Sequence, residues 1–336
     1  MSMPDASAGW IGVFLVCFAI GLSGTWLARR YALRRRLLDL PGERRSHAVP
    51  TPRGGGIAIV AAMLVALAWM LVTGVAHAKF LLAVGAGLVL ISGIGWIDDH
   101  RPLAPWPRLA VQAIAAAALA WGLAGEGGSV AGSLIGFVAA MVLVNVWNFM
   151  DGIDGIATTQ AILAGIAYAV FAWGAPPAWL ALGLVAGSLG FLPFNFPKAR
   201  IFLGDVGSGA LGYALAASAA WIAQADWPNA PLLLLPLSAF LVDASLTLAA
   251  RAVAGQRWWT PHAEHAYQFW ARHLRSHQPV AFSFAGWTLL AVLIMFAARN
   301  WAGAFIMPVV TAVFVAACAI WTWSRWLRQR EEAAGK

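Results

Sequence analysis

The sequence predicts an all-α protein, a polytopic bundle of transmembrane helices. Of its 336 residues, 61% are hydrophobic and only 11% are charged, and the mean hydropathy is +0.74. Soluble domains are usually about 25% charged, so this composition excludes an ordinary soluble domain. A helix needs about 20 apolar residues to cross the hydrocarbon, and a spanning backbone must satisfy its own hydrogen bonds. Long apolar stretches therefore predict helices.

Apolar stretches of suitable length recur along the whole chain, and several of them contain Gly or Pro. We expect about 10–11 spans and one integral membrane domain over residues 1–336, because no soluble segment interrupts the pattern. The candidate spans cover residues 9–28, 55–74, 79–97, 108–125, 129–148, 156–174, 177–194, 207–224, 231–250, 280–298 and 302–324.

The basic residues indicate the orientation of this bundle. If the spans alternate from an external N-terminus, 20 of the 22 Lys and Arg residues fall on one side, in segments 29–53, 98–108, 195–206, 251–279 and 325–336. Basic residues in short loops favour the cytoplasm. The N-terminus is therefore predicted to be periplasmic and the C-terminus cytoplasmic. The net charge of +8 then reflects orientation and contact with membrane lipid, and no nucleic-acid partner is predicted.

Five aspartates lie where predicted spans meet cytoplasmic loops, including the loop at 149–156. They are Asp98 and Asp99 in "WIDDH", Asp151 and Asp154 in "NVWNFMDGIDGIA", and Asp205 in "FLGDVGSG". A single aspartate there, such as Asp154 or Asp205, could simply cap the following helix. Five carboxylates on one face repel one another unless a cation balances them. Mg²⁺ fits best, since it binds carboxylates together with substrate phosphates.

Basic and histidine residues supply the other half of a phosphate site. His47 and Arg53 in "RRSHAVPTPRGGG" precede a helix start, where free N–H groups attract anions. Arg108 either reaches the lipid headgroups or enters the pocket. His262 and His265 in "HAEHAYQ" are three residues apart, which places both on one face if this segment is helical. A zinc site would need further ligands, so we expect these histidines to contact phosphate or sugar.

Asp243 lies alone inside the ninth predicted span. Carboxylates within the membrane are costly and usually face a cavity or a partner group. Asp243 therefore either supports the pocket from behind or makes a structural hydrogen bond within the bundle.

Five motifs taken in order resemble a known family over residues 40–268. They are "DLPGERRSHAVPTPRGGG", "GWIDDHRPLAPWPRLAVQ", "NVWNFMDGIDGIA", "FLPFNFPKARIFLGDVGSGALG" and "HAEHAYQ". Together they resemble the polyprenyl-phosphate N-acetylhexosamine-1-phosphate transferases of glycosyltransferase family 4. The patterns N-x-x-N-x-x-D-G-x-D-G and F-L-G-D-x-G-S are the most specific. The single H-x-x-H motif is most similar to that of the subgroup that initiates O-antigen synthesis.

The resemblance implies roles for individual residues. Asp98 and Asp99 match a pair that acts on the lipid phosphate as base or nucleophile, and Asp205 matches a Mg²⁺ ligand. Asp151 is expected to line the nucleotide pocket and to contribute to the metal site. The remaining residues expected to bind nucleotide or substrate are Asn148, Asp154, Asn195, Arg108, His47, Arg53, His262 and His265.

The implied reaction transfers a sugar 1-phosphate from a UDP-N-acetylhexosamine to undecaprenyl phosphate and releases UMP. It would need Mg²⁺, with Mn²⁺ as an alternative, and would occur at the cytoplasmic face of a bacterial inner membrane. The resemblance leaves a homodimer open. The phospho-MurNAc-pentapeptide translocase of peptidoglycan synthesis is the nearest alternative. A polytopic transporter is a more remote one, because its ionisable residues would gather near the bilayer midplane.

Overall fold

The computed structural model describes residues 3–40, 42, 49–125, 127–257, 260, 262–301 and 303–334. The described chain forms an all-α bundle with one short pair of strands, which confirms the predicted fold class. Its helices are α1 (Met3–Arg35), α2 (Ile57–Thr73), α3 (Ala78–His100), α4 (Pro105–Gly125), α5 (Val130–Met150), α6 (Ile156–Phe171), α7 (Pro176–Asn195), α8 (Asp205–Ala225), α9 (Ser238–Val253), α10 (Ala266–His273), α11 (Gln278–Ala298) and α12 (Ile306–Ala334).

The spans agree with the sequence pattern except in the ninth. Among the described residues, nine helical segments are long and apolar enough to cross a membrane, and the shorter apolar helices α2 and α6 add two more. The ninth span begins as a 3-10 helix over Trp227–Leu237 and becomes α-helical only at Ser238. Pro231 and Pro236 lie inside the 3-10 segment, where each lacks the N–H that an α-helix would use.

Helix α8 forms the centre of the bundle. Its apolar stretch is 94% buried, and it packs against α3, α5, α6 and α7. The many Gly and Ala residues in "DVGSGALGYALAASAAWIAQA" allow neighbouring backbones to approach closely. The N-terminus of α8, where Asp205 stands, is therefore surrounded by the ends of other helices.

A short sheet helps to fix the loop that precedes α8. Strand β1 (Leu38–Asp39) pairs in antiparallel register with β2 (Thr51–Pro52). The backbone N–H of Phe202 donates to the carbonyl of Pro52 at 2.8 Å, and the N–H of Gly55 donates to the carbonyl of Phe202 at 2.9 Å. The segment after β2 thereby holds the "IFLGD" loop against the bundle. His47 lies between the two strands but outside the described residues.

Candidate active site

Arg108 joins carboxylates that come from two different helices. Its Nη1 atom lies 3.0 Å from Asp98 Oδ2, and its Nη2 atom lies 2.8 Å from Asp205 Oδ2. Nη2 also approaches Asn148 Oδ1 at 3.4 Å, and Asn148 Nδ2 donates to Ser208 Oγ at 3.2 Å. Arg108 is 24% exposed, so these charges remain accessible. The ends of α3 and α5 thus meet the starts of α4 and α8, at what we call the acidic end of the bundle.

Asp99, the neighbour of Asp98, has a different environment. It is only 2% exposed, and its two carboxylate oxygens accept the backbone N–H groups of Asp205 and Val206 at 3.1 and 3.2 Å. These N–H groups have no partner inside helix α8, so Asp99 satisfies them from outside. Arg53 donates to the backbone carbonyl of Asp99, and its Nε atom lies 4.0 Å from Asp99 Oδ1. Asp99 therefore anchors the start of α8, while Asp98 faces Arg108.

The aspartates that could have been simple helix caps do not cap their helices. Gly155 precedes α6 with a φ of 71°, and Gly204 precedes α8 with a φ of 75°. Both values lie in the left-handed region that favours glycine. Neither helix has a side-chain cap at that position, and a Cβ atom on Gly204 would collide with Asp99. The carboxylates of Asp154 and Asp205 are thus left for other partners.

Asp151 follows α5 directly and lies half-buried in a region of excess negative charge. Burial, with smaller contributions from the carboxylates of Asp205, Asp99 and Asp154, raises the pKa of Asp151 to about 8. Within the described part of the chain, no group of three His, Cys, Asp or Glu side chains is arranged to hold a metal ion. All the charged groups that contribute to the pKa shift of Asp151 are carboxylates.

Asp154 contacts a histidine that was not expected from the sequence. Its Oδ2 atom lies 3.2 Å from His277 Nδ1, and its backbone N–H is 3.3 Å from the same nitrogen. His277 stands immediately before α11, more than a hundred positions away in the chain. The only signal in the sequence was its place in a loop predicted to lie on the same side of the membrane.

Asn195 supports the turn that follows Asp154. It is 2% exposed. Its Oδ1 atom accepts from the N–H of Gly155 at 3.1 Å and from the hydroxyl of Thr158 at 3.3 Å, while its Nδ2 atom donates to the carbonyl of Ile201 at 3.1 Å. Both its oxygen and its nitrogen are bonded within the protein, which fits a role in positioning the turn.

His262 and His265 are close together but do not share a helix. The expectation that a helix would place both on one face is therefore wrong. His265 immediately precedes α10 and His262 lies in the loop before it, with ring centroids 5.0 Å apart. His265 is buried, and its Nδ1 atom lies 3.5 Å from Asp243 Oδ1. Burial, with smaller contributions from the nearby charges of His265, Arg251 and Arg328, lowers the pKa of His262 to about 4. At neutral pH, His262 is therefore uncharged.

Asp243 caps helix α10 and links the histidine segment to the acidic end. Its Oδ1 atom accepts from the N–H of Ala266 at 2.9 Å, and its Oδ2 atom accepts from the N–H of Tyr267 at 3.1 Å. The Tyr267 hydroxyl then donates to the carbonyl of Phe149 at 3.0 Å, two residues before Asp151. Both interpretations from the sequence therefore apply, because this hydrogen-bonded cap also supports the site from behind.

Comparison with known proteins agrees with this arrangement. The family described as Glycosyl transferase family 4 matches residues 81–223. The decaprenyl-phosphate N-acetylglucosaminephosphotransferase of Mycobacterium leprae is 30% identical over 325 residues, covering 84% of this chain and 80% of that relative. A probable undecaprenyl-phosphate N-acetylglucosaminyl 1-phosphate transferase of Bacillus subtilis is 31% identical over 217 residues, 60% of each chain. The phospho-N-acetylmuramoyl-pentapeptide-transferase of Desulfosudis oleivorans is 28% identical over 246 residues, covering 60% of this chain and 67% of its own.

The all-α membrane bundle and these matches together identify the protein as a membrane transferase of glycosyl transferase family 4. Within it, the chain belongs to the polyprenyl-phosphate N-acetylhexosamine-1-phosphate transferase family. The resemblance carried by the five motifs is thereby confirmed, together with the multi-pass membrane character. The O-antigen subgroup stays a prediction, since some relatives are named for N-acetylglucosamine and others for phospho-N-acetylmuramoyl-pentapeptide.

Proposed function

We propose that the protein transfers N-acetylhexosamine 1-phosphate from a UDP-sugar to undecaprenyl phosphate, releasing UMP, as the initiating step of O-antigen or another surface polysaccharide. The observation that carries this proposal is the Arg108 bridge between Asp98 and Asp205 at the acidic end of the bundle. Relatives named for N-acetylglucosamine transfer to decaprenyl or undecaprenyl phosphate support the choice of substrates. The predicted cytoplasmic position of this end would admit a soluble nucleotide sugar and a lipid headgroup together.

Charge balance explains why this site needs cations. Two phosphate-bearing reactants must approach each other among five carboxylates, so their mutual repulsion has to be neutralised. Arg108 and Arg53 supply positive charge from the protein. Asp205 and Asp151 are the residues that would hold Mg²⁺, or Mn²⁺ in its place. Their oxygen donors suit such an ion, which typically takes one or two carboxylates and completes its shell with substrate phosphate and water. When bound, the ion would neutralise phosphate charge.

The transfer itself requires an in-line displacement at phosphorus. An oxygen of the lipid phosphate bonds to the phosphorus that carries the sugar, and the bond from that phosphorus to the oxygen of UMP breaks. The products are sugar–diphosphate–undecaprenol and UMP, and catalysis in such reactions consists mainly of positioning and charge stabilisation. Any proton on the attacking lipid phosphate needs an acceptor within hydrogen-bond reach.

We assign that acceptor role to Asp98 and a positioning role to Asp99. Asp98 is 13% exposed and faces Arg108, so a phosphate bound by Arg108 would lie beside its carboxylate. Asp99 is buried, and its oxygens are already engaged by the N–H groups of α8. Because the lipid phosphate oxygen is the nucleophile in this step, we assign Asp98 as the base.

The remaining residues are assigned to substrate binding. Asn148 contacts Arg108 and lines the same small cavity as Asp205, which suits it to the nucleotide phosphates. Asp154, held near His277, forms the next part of the wall. His262 and His265 are proposed to contact sugar or phosphate from the α10 side. His47 retains its predicted role in phosphate binding.

A donor panel tests the proposed function. The purified protein would be given undecaprenyl phosphate, Mg²⁺, and either one of several UDP-N-acetylhexosamines or UDP-MurNAc-pentapeptide. We expect UMP and a lipid-linked product with a UDP-N-acetylhexosamine. Product formed only with UDP-MurNAc-pentapeptide would instead identify the peptidoglycan translocase. Absence of UMP with every donor, from protein that is folded and membrane-inserted, would refute the proposal.

A further inference from the structure

Two adjoining cavities lie on the side of α10 that faces away from the acidic site. One, of about 390 Å³, is bounded by α9, α10, α11 and α12, and the other, of about 250 Å³, is formed mainly by α10 and the end of α12. Their walls share Ala266, Trp321 and Ser324. The two spaces are therefore neighbours along α12 and can accommodate different parts of one elongated molecule.

The larger cavity is suited to hydrocarbon. Its lining is dominated by aromatic and aliphatic side chains, including Trp270, Trp287, Trp321 and Trp323. Asp243 also borders it, but both carboxylate oxygens of Asp243 already accept backbone N–H groups of α10. Tryptophan is enriched where a membrane protein meets the lipid headgroup region. A chain that enters this cavity would thus lie between the hydrocarbon and the headgroup level.

The smaller cavity is polar and carries excess positive charge. Its two acids are already paired, Glu264 with Arg251 and Glu332 with Arg328. Arg325 also lines it, with its guanidinium 5.4 Å from the centroid of the Trp321 ring. Within the part of the chain that the structure describes, Arg325 forms no ion pair with a carboxylate. Its charge is therefore available to an anionic ligand.

We propose that an anionic membrane phospholipid occupies both cavities, with an acyl chain among the tryptophans and its headgroup phosphate at Arg325. Each half of such a lipid meets the chemistry that matches it, and Arg or Lys near the membrane surface attracts anionic headgroups. The proposal does not depend on the identity of the transferred sugar.

This lipid is distinct from the acceptor substrate of the proposed reaction. Ala266, Phe269 and Trp270 face the cavities from one side of α10, as their spacing along a helix requires. Tyr267 points the other way, with its hydroxyl on the carbonyl of Phe149. Helix α10 thus separates the cavities from the acidic end, and their linings include none of the five aspartates at that end.

Lipid retention measured by native mass spectrometry tests the proposal. The full-length protein would be delipidated in detergent and titrated with phosphatidylglycerol or with phosphatidylcholine of the same acyl chains. We expect tight binding of phosphatidylglycerol, with affinity reduced about tenfold, or roughly 1.4 kcal/mol, in Arg325→Gln. Ser283→Phe, which places a ring in the apolar cavity from the exposed side of α11, should reduce affinity for both lipids.

Matched controls come from the same two helices. Arg330→Gln removes an arginine that lies over Trp326 outside the cavities, and Leu290→Phe adds bulk to an exposed position of α11 that does not line them. Both should bind phosphatidylglycerol as the wild type does. Equal binding by Arg325→Gln and Arg330→Gln would overturn the headgroup assignment, and Arg325→Gln decides the matter even if Ser283→Phe fails to fold. Displacement of phosphatidylglycerol by undecaprenyl phosphate at equal concentration, with a raised KM for undecaprenyl phosphate in Arg325→Gln, would assign the cavities to the substrate and refute the proposal.

Discussion

The acidic end and the Asp243 region both hold carboxylates next to helix termini, but the carboxylates have different partners in the two regions. Around Arg108, the carboxylates of Asp98 and Asp205 share one partly exposed guanidinium. Asp243 is 3% exposed, and its oxygens accept two backbone N–H groups and the hydroxyl of Thr247. A charge held by an exposed partner can exchange that partner for a substrate, whereas a buried and fully hydrogen-bonded charge stabilises structure. We therefore propose that the first region carries out the chemistry and that the second positions it.

Tyr267 connects the two regions. Its backbone N–H is held by Asp243, while its hydroxyl holds the carbonyl of Phe149 near the turn that carries Asp151. Substitutions at the acidic end should consequently affect turnover directly, and substitutions around Asp243 should affect stability first.

Replacement of Asp98 should have the largest effect on turnover. Asp98→Asn removes the proposed proton acceptor and keeps the size of the side chain, so kcat should fall by about 10²–10⁴-fold. UMP release at saturating donor and lipid phosphate measures this. Glu331→Gln, an exposed acid on α12, serves as the control and should retain wild-type activity. A kcat for Asp98→Asn within a factor of a few of wild type would contradict the assignment.

Arg108→Lys should reduce kcat/KM by about 10²-fold, the cost typical of losing one donor to a developing charge. Lysine keeps the positive charge but cannot span Asp98 and Asp205 as the planar guanidinium does. Steady-state UMP release measures the change. Arg101→Lys, at an exposed position in the loop that precedes α4, is the matched control. Similar losses in both variants would indicate that Arg108 contributes charge without specific geometry.

Asp243→Asn should lower stability more than it lowers activity. The amide offers one acceptor where the carboxylate offers two, which leaves an N–H at the start of α10 unsatisfied and costs roughly 1–3 kcal/mol. We expect a lower Tm in detergent, with activity below the denaturation temperature reduced less than in Arg108→Lys. An unchanged Tm combined with lost activity would instead place Asp243 in direct contact with substrate.

His262→Gln should have the smallest effect on stability, and that effect should appear on acidification. Because burial lowers the pKa of His262 from 6.5 to about 4, the unfolded state binds a proton in this interval and the native state does not. The contribution of His262 to the free energy of unfolding is therefore fully present above pH 6.5 and is lost as the pH falls towards 4. The variant's Tm should decline less over this range than that of the wild type. His273→Gln, at an exposed histidine, should follow the wild type.

The fold could be predicted largely from composition, because each span must be a helix of limited length. The departure at Trp227–Leu237 arose from Pro231 and Pro236, whose missing N–H groups change hydrogen bonding without changing hydropathy. The two-residue strands depend on contacts of the "IFLGD" loop with β2, which no local pattern reveals.

The site could be predicted as a cluster but not as a set of partners. Charge topology brought Asp98, Arg108 and Asp205 to one end, and the structure places them in contact. The different partners of Asp98 and Asp99 could not be predicted from the sequence. Consecutive residues on a helix point about 100° apart, so the two side chains contact different neighbours. The contact between His277 and Asp154 depends on how α11 packs beside α6.

The most direct test of the central claim compares the two ends of α8. Asp205→Asn alters the acid held by Arg108 at the start of this helix, and Asp226→Asn alters an acid just beyond its other end, where it pairs with Asn229. UMP release from the preferred UDP-sugar should fall by about 10²-fold or more in Asp205→Asn and remain at the wild-type level in Asp226→Asn. Near-normal Mg²⁺-dependent turnover by a well-folded Asp205→Asn variant would contradict the account.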